Sequence, residues 1–368
     1  MRILLLANND GGLYKFRREV VEALLGGGND VFISLPFGNY KKKLEEMGCQ
    51  LIDTSVDRRG INPIKDSKLL IAYINLIKKV KPHIVLTYTI KPNIYGGLAA
   101  AICRAPYIAN VTGMGTALEN SGALQKMLIM MYKAAFGKIQ CVFFQNDENK
   151  RFFERHRIAV GKHKLIPGSG VNLEHFSVLD YPSDDTTEFV FISRIMKEKG
   201  IEQYFDAAKY IKNKYPQTGF HICGACEEAY ENTLKELQEQ GVIEYHGVLS
   251  DVREIHKIAH CTIHPTYYPE GMSNVLLESC ACGRPIITTN RSGCREIVDN
   301  GVNGYVVKEK ASEDLIEKIE QFLSLPYDKK KQMGLNGRKK VEREFDRQIV
   351  VKAYLDEVNS LYEEGNIE

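Results

Sequence analysis

Two glutamates, Glu270 and Glu278, bracket the stretch with the densest potential chemistry in the chain, Glu270-Gly-Met-Ser-Asn-Val-Leu-Leu-Glu278. Cys261-Thr-Ile-His-Pro265 before it reads as a short buried strand, and Pro269 to Ser273 as a turn with Gly271 in it. From Asn274 the apolar and small positions Val275, Leu276, Ser279 and Cys280 follow a helical period, which Gly283 and Pro285 stop. A helix that begins where a strand ends offers unpaired amides and the positive end of its dipole, an anion site. Glu270 lies just before that helix and Glu278 about two turns into it, which separates the carboxylates by roughly 10 Å along the axis. A ligand with hydroxyls at both ends and an anion between them fits. A sugar nucleotide has that form.

A second cluster is Ser193-Arg-Ile-Met-Lys-Glu-Lys-Gly200, where another strand opens into a helix. Arg194 and Lys199 would flank a diphosphate, with Lys197 as the alternative to Lys199. Each charge-assisted hydrogen bond contributes about 1.5 to 3 kcal/mol, and more as charge gathers on the leaving group. No D-x-D metal motif stands at a strand end, and Asp184-Asp185 lies in a polar loop. With two cations and a helix terminus offsetting the charge, the expectation is transfer without a metal and without a cofactor. Lys91-Pro92-Asn93, beyond a strand ending near Tyr88, is either an acceptor-phosphate contact or an ordinary helix start.

These groups must be carried by alternating strands and helices. Arg2 to Ala7 reads as a buried strand, and Asn8 to Gly12 as the turn into a helix from about Tyr14 to Leu25. Further strands are expected at 31–35, 83–87, 107–111, 141–145 and 164–166, with helices around 41–47, 68–80, 94–103, 124–136 and 147–156. After Pro167-Gly-Ser-Gly170 the cycle restarts, with strands at 190–193, 220–223, 243–246, 261–264, 285–288 and 305–307. Its helices are expected near 200–215, 230–240, 252–259, 275–281 and 312–324. The fold class is therefore α/β, two Rossmann-like halves with parallel sheets. The domains are residues 1–168 and 169–347, with about 348–368 crossing back to the first. A nicotinamide enzyme would show G-x-G-x-x-G after the first strand; this chain does not.

Composition is that of a globular protein, with 44% hydrophobic and 26% charged residues over 368 positions. Nine irregularly spaced cysteines point to free thiols and a reducing compartment. Cys223-Gly-Ala-Cys226 lacks a second pair at metal spacing, which disfavours zinc or redox chemistry. Met1 to Ala7 is too short for a signal peptide or a membrane span. The net charge of +2 hides an asymmetry, since residues 1–175 hold 25 Lys and Arg against 14 Asp and Glu. That basic half is either a solvated face or one drawn to anionic phospholipid, at about 1 kcal/mol per basic residue near the surface. Ser121 to Gly137 carries Leu124, Leu128 and Met131 at core spacing beside Lys126 and Lys133, so it packs inward or docks at a membrane surface. No nucleic-acid motif occurs.

The run H-P-T-Y-Y-P-E-G-M-S-N-V-L-L-E-S-C-A-C-G-R-P-I-I resembles the signature of retaining GT-B glycosyltransferases of family four. The likeness extends over nearly the whole chain and is nearest to bacterial enzymes of the PglA type, which extend polyprenol-diphosphate-linked oligosaccharides. The resemblance implies a UDP-sugar donor, a polyprenol-diphosphate or similar glycan acceptor, and a place on the inner face of the cell membrane. It assigns Arg194 and Lys199 to the leaving nucleotide, Glu270 to the hexose hydroxyls and Glu278 to the ribose diol. Backbone groups of Gly271, Met272, Ser273, Asn274 and Val275 would cradle the diphosphate. Gly224, Val248 and Leu249 match positions that border the base, and Gly12 one that approaches the diphosphate or sugar from the first domain across a cleft. Many relatives carry a histidine after the strand that here runs into Asn110-Val-Thr-Gly-Met-Gly. Asn110, Thr112 or the Gly113–Gly115 backbone would replace it, with Glu119 the acidic residue of that loop. The rival readings are a sugar-nucleotide epimerase and a non-catalytic sugar- or lipid-binding module.

Overall fold

The computed structural model describes residues 1–57, 60, 62–119, 121–227 and 229–363. It divides into two compact units, residues 1–170 with 347–368, and residues 171–346.

The first unit holds a seven-stranded parallel sheet of Arg2–Leu6 (β1), Asp30–Leu35 (β2), Gln50–Asp53 (β3), Ile84–Tyr88 (β4), Tyr107–Val111 (β5), Cys141–Phe144 (β6) and His163–Leu165 (β7). Its order is β3-β2-β1-β4-β5-β6-β7. Both faces of its centre are covered, and so β1, β4, β5 and β6 are buried nearly end to end rather than alternately. Leu4 and Leu6 enter the core on one side, with Val85, Ala109 and Val142. Ile3 and Leu5 enter the other, with Ile33, Leu86 and Ile108. The terminal helix, Arg347–Glu363, belongs to this unit: Val350, Tyr354, Val358 and Leu361 complete the second cluster. Arg347 fastens its start, donating to both carboxylate oxygens of Glu19 at 2.9 Å and to the Gly170 carbonyl at 3.1 Å.

Three features depart from the sequence reading. The first helix runs Asp10–Gly26 with Asn9 as its cap, so Gly11 and Gly12 sit in its first turn and not before it. After β4 the chain makes a π-helical turn, Pro92–Gly96, before the helix Gly97–Cys103; such turns recur at functional sites. Strand β3 is a short, half-exposed edge whose apolar pattern is too brief to stand out.

The second unit has a six-stranded parallel sheet of Thr187–Ile192 (β8), Thr218–Cys223 (β9), Glu244–Tyr245 (β10), Cys261–His264 (β11), Ile286–Thr289 (β12) and Gly304–Val307 (β13). The order β10-β9-β8-β11-β12-β13 repeats that of the first unit. In such a sheet the strand order reverses at one point, here between β8 and β11. Crossovers leave that point in opposite directions and open a crevice at the strands' carboxyl ends.

A helix absent from the sequence reading, Tyr327–Glu344, backs the Asn274–Ala281 helix. Its contact face carries Gly334 and Gly337, where a Cβ would overlap the Gly283 carbonyl or press on Cys280 Sγ. Small residues let the helices approach closely, but they leave no apolar stripe to read.

Candidate functional site

The exits of β8 and β11 place the predicted charged groups together. Beyond β8 the chain passes Ser193 and Arg194 and makes a 3-10 turn at Lys197–Lys199. Gly200 follows at φ +79°, packed on the Pro265 carbonyl beyond β11. The two segments are joined further by the Glu198 carbonyl, which accepts from the Tyr267 amide at 2.9 Å and the Thr266 hydroxyl at 3.2 Å. This turn carries the Lys199 side chain inward, only 8% exposed, where Nζ pairs with Glu270 Oε1. Lys197 faces outward, 60% exposed, 3.5 Å from Glu202. Geometry thus turns inward the lysine that the family resemblance favours and leaves its alternative, Lys197, outside.

Tyr268 lies beneath both cations, with its ring centroid 4.8 Å from Lys199 Nζ and 5.6 Å from the Arg194 guanidinium. A cation over a ring face is attracted by the ring quadrupole. Arg194 also donates to Glu227 Oε2 at 2.8 Å.

The helix itself starts at Asn274, with Ser273 in extended conformation as its cap residue. The Leu277 amide donates to the Ser273 carbonyl, so the amides of Asn274, Val275 and Leu276 precede the first intrahelical bond. The Ser273 side chain makes no capping bond to them. Its backbone amide is held by the Gly293 carbonyl at 2.8 Å. Gly293, at φ +88°, is required here: a Cβ would stand 2.7 Å from the Gly271 carbonyl and 3.0 Å from Glu270 Cβ. Glu278 lies in the second turn of this helix, half-buried.

Gly224 follows β9 at φ +146°, and a Cβ would overlap the Ser193 carbonyl. Its amide donates to the Gly247 carbonyl at 2.7 Å, which sets the next segment beside it. There Val248 is 73% exposed. Leu249 and Val275 both pack on the cluster of Val190, Ile192 and Cys223. The positions expected near a base therefore adjoin the helix start. Cys223 is a buried thiol whose pKa burial raises to about 12.

His264, the last residue of β11, was quoted in the motif but given no role. Its Nε2 is 4.0 Å from Glu270 Oε1, and neither ring nitrogen has a hydrogen-bond partner. Burial, and then the Lys199 charge, lowers its pKa to about 3. The imidazole is a neutral wall behind the ion pair. His264, Tyr268 and Gly293 were missed for a common reason: each acts through a neighbour that only folding supplies.

Residues 180–340 match the family model for glycosyl transferases group 1, and residues 2–146 the model for glycosyl transferase 4-like proteins. The chain is a GT-B glycosyltransferase. It is 26% identical over 96% of its length, and 97% of the relative's, to the N,N'-diacetylbacillosaminyl-diphospho-undecaprenol alpha-1,3-N-acetylgalactosaminyltransferase of Campylobacter jejuni. It is 28% identical to the capsular polysaccharide biosynthesis glycosyltransferase CapM of Staphylococcus aureus, over 87% of each chain. It is 27% identical to the UDP-Gal:alpha-D-GlcNAc-diphosphoundecaprenol alpha-1,3-galactosyltransferase of Escherichia coli, covering 83% of this chain and 81% of that one. Among solved structures, Anabaena HepE in complex with UDP superposes with a TM-score of 0.81 at 17% identity, over 98% of this chain and 100% of that one. That likeness speaks to the fold.

In the glycosyltransferase's first unit the expected acceptor residues fare unevenly. Asn110 is a correction: it lies inside β5, 1% exposed. Its Nδ2 donates to Tyr354 Oη at 2.6 Å and its Oδ1 accepts from Gln145 at 3.3 Å. This carboxamide ties the terminal helix to the sheet and is closed to a ligand. Lys91 Nζ is 2.6 Å from Asp66 Oδ1, with both side chains largely covered. Thr112 is half-buried just beyond β5, and Glu119 is exposed at the end of the short helix Gly115–Glu119. The Gly12 amide donates to Asn9 Oδ1 at 2.5 Å, and a Cβ would crowd that side chain at 2.9 Å. The visible effect of Gly12 is to let the cap close. In the helix Ala123–Ala135, Ile129, Tyr132 and Ala135 form the buried stripe, and Leu128 and Met131, half-covered, pack against the same core as expected, with Leu124 half-covered at the start.

Proposed function

We propose that this glycosyltransferase moves a hexose, N-acetylhexosamine or related sugar from UDP to a polyprenol-diphosphate-linked sugar or similar cell-surface glycan precursor, retaining the anomeric configuration and using no metal. The observation that carries the reading is the Lys199–Glu270 pair set before the Asn274–Ala281 helix, with Arg194 over the same tyrosine. The acceptor class and UDP are supported by the names of the Campylobacter and Escherichia relatives.

In this reading the diphosphate lies against the amides of Met272, Asn274 and Val275, with Arg194 and Lys199 on its flanks; the Ser273 amide, already given to the Gly293 carbonyl, drops out of the expected cradle. Glu270 holds donor hydroxyls, Glu278 the ribose diol, and Gly224, Val248 and Leu249 border the uracil. Charge moves onto the diphosphate as the glycosidic bond breaks, and dipoles and cations already in place stabilise it without reorganisation. The acceptor hydroxyl attacks from the face the diphosphate leaves, and a departing phosphate oxygen takes its proton. One C–O bond breaks and one forms on the same side of the sugar.

The first unit would take the acceptor and meet the membrane. No helix among the described residues is long and apolar enough to cross a bilayer. Opposite its buried stripe, however, the Ala123–Ala135 helix exposes Met127 and Met130, at 38% and 65%, beside Lys126 and Lys133. Apolar and basic side chains together on one helix suit an anionic lipid surface, on the cytoplasmic side where the donor is made.

The test is transfer from a panel of UDP-sugars to an undecaprenol-diphosphate-linked sugar in the presence of EDTA. Product with a retained anomer supports the reading. A strict need for Mg²⁺ or Mn²⁺ overturns its metal-free part, free sugar released as the main product points to an epimerase, and no UDP binding points to a module without catalysis.

A further inference from the structure

A second cluster of ligating side chains lies on the sheet of the second unit, apart from the Lys199–Glu270 pair. His221 on β9 and Glu244 on β10 are direct partners in the parallel ladder, and His246, two residues on, returns to the same face. His221 Nδ1 is 3.0 Å from His246 Nε2 and 3.6 Å from Glu244 Oε2. One ligand atom from each of the three residues lies within 4.8 Å of the others. The opposite nitrogen, His221 Nε2, is 3.0 Å from Glu188 Oε2 on β8, and Glu188 Oε1 accepts from the Thr186 hydroxyl at 2.6 Å. Gly219 leaves the room for that carboxylate, since a Cβ there would overlap it.

Glu188 accepts only, so His221 must carry its proton on Nε2 and present the Nδ1 lone pair to His246 and Glu244. A carboxylate behind an imidazole is the usual way that a metal-binding histidine is oriented. We propose that His221 Nδ1, His246 Nε2 and a Glu244 oxygen bind a divalent transition metal of the zinc class, with water in the fourth position. Two nitrogens on a tetrahedral ion at about 2.0–2.1 Å stand about 3.3 Å apart, so the observed pair opens by only a few tenths of an ångström. Without metal His246 Nε2–H donates to His221 Nδ1. On binding, that proton moves to His246 Nδ1, which has Glu244 Oε1 3.7 Å away. Glu244, 64% exposed, leaves an entry path.

The metal has a structural task. β10 is a two-residue edge strand paired only with β9 among the described strands, and one ion cross-linking β10 to β9, with Glu188 of β8 holding His221 from behind, resists fraying. His246 also leads into Gly247, whose carbonyl holds the Gly224 amide, so the clamp fixes the segment that continues to Leu249. Three strand spacings, about 14 Å, separate β10 from β11, so the ion stands apart from the Lys199–Glu270 pair, and the inference does not depend on the proposed function.

The full chain, stripped with a chelator, is titrated with Co²⁺ and then Zn²⁺. Expected are a single equivalent of Co²⁺ with d–d bands of a nitrogen–oxygen site, displacement by Zn²⁺, and a rise in Tm with Zn²⁺. Glu244→Gln, on an exposed side chain that does not endanger folding, and His246→Asn should each weaken binding at least about 10-fold. Glu188→Gln should cost about 10–100-fold with the band shape kept. Absence of saturable binding, a sulfur-to-cobalt charge-transfer band from the thiols, or unchanged affinity in both Glu244→Gln and His246→Asn overturns the proposal.

Discussion

Gly200 packs on the carbonyl of Pro265 so closely that any side chain at that position would overlap the oxygen. The contact joins the exit of β8 to the exit of β11, and it is what turns Lys199 toward Glu270. Gly200→Ala meets both this overlap and a left-handed backbone at φ +79°. Strain of this kind costs about 1–3 kcal/mol. Urea unfolding should show that loss, and donor turnover should fall with it because the Lys199 segment is displaced. Unchanged stability and turnover would remove Gly200 from the account.

Glu270→Ala should lower turnover by about 10²–10³, the usual cost of losing one group that acts mainly in the transition state, while UDP binding by calorimetry stays near that of the native chain. Lys199→Met should do the reverse in part. It weakens UDP binding and leaves the little-exposed Glu270 without its cation, at about 3–5 kcal/mol in stability. A Glu270→Ala enzyme of native activity would refute the site.

Asn110→Ala tests the corrected role of that residue. It leaves Tyr354 Oη and Gln145 Nε2 without their partner, at about 1–3 kcal/mol. Tm should drop, while the acceptor KM of the folded enzyme stays unchanged. A raised acceptor KM at native Tm would restore Asn110 as a ligand contact.

Acid should destabilise the second unit through buried histidines. Burial, and then the Arg284 charge, holds His256 near a pKa of about 3, against about 6.5 when unfolded. Above 6.5 both states are neutral and the full stability is present. As pH falls from 6.5 toward 3, the unfolded chain gains a proton that the folded one refuses. Stability then declines by up to about 1.4 kcal/mol per pH unit for each such histidine. His264 adds a like contribution. Urea unfolding at neutral pH and at about pH 5 should show the decline, and His256→Leu should make it shallower. An equal slope in the variant would assign the acid sensitivity elsewhere.

Much of the molecule was open to reading in one dimension. Strands β1, β4, β5 and β11 are largely apolar and buried nearly end to end because both faces of each sheet are covered, and the start of the Asn274–Ala281 helix is marked by its period and by the turn before it. The acids and cations stand at strand ends, so their addresses followed once the strands were located. The Tyr327–Glu344 helix stayed hidden because it packs through Gly334 and Gly337, which carry no hydrophobic signal.

Local periodicity determined which segments are strands, which are helices and which residues stand where they meet, because burial on a sheet face repeats at short range along the chain. Tertiary structure alone decided which of Lys197 and Lys199 turns inward, that Asn110 serves the terminal helix, and that Glu188, His221, Glu244 and His246 converge. Those outcomes depend on contacts between residues far apart in the chain, and a partner's position across a sheet leaves no trace in the spacing of its neighbours.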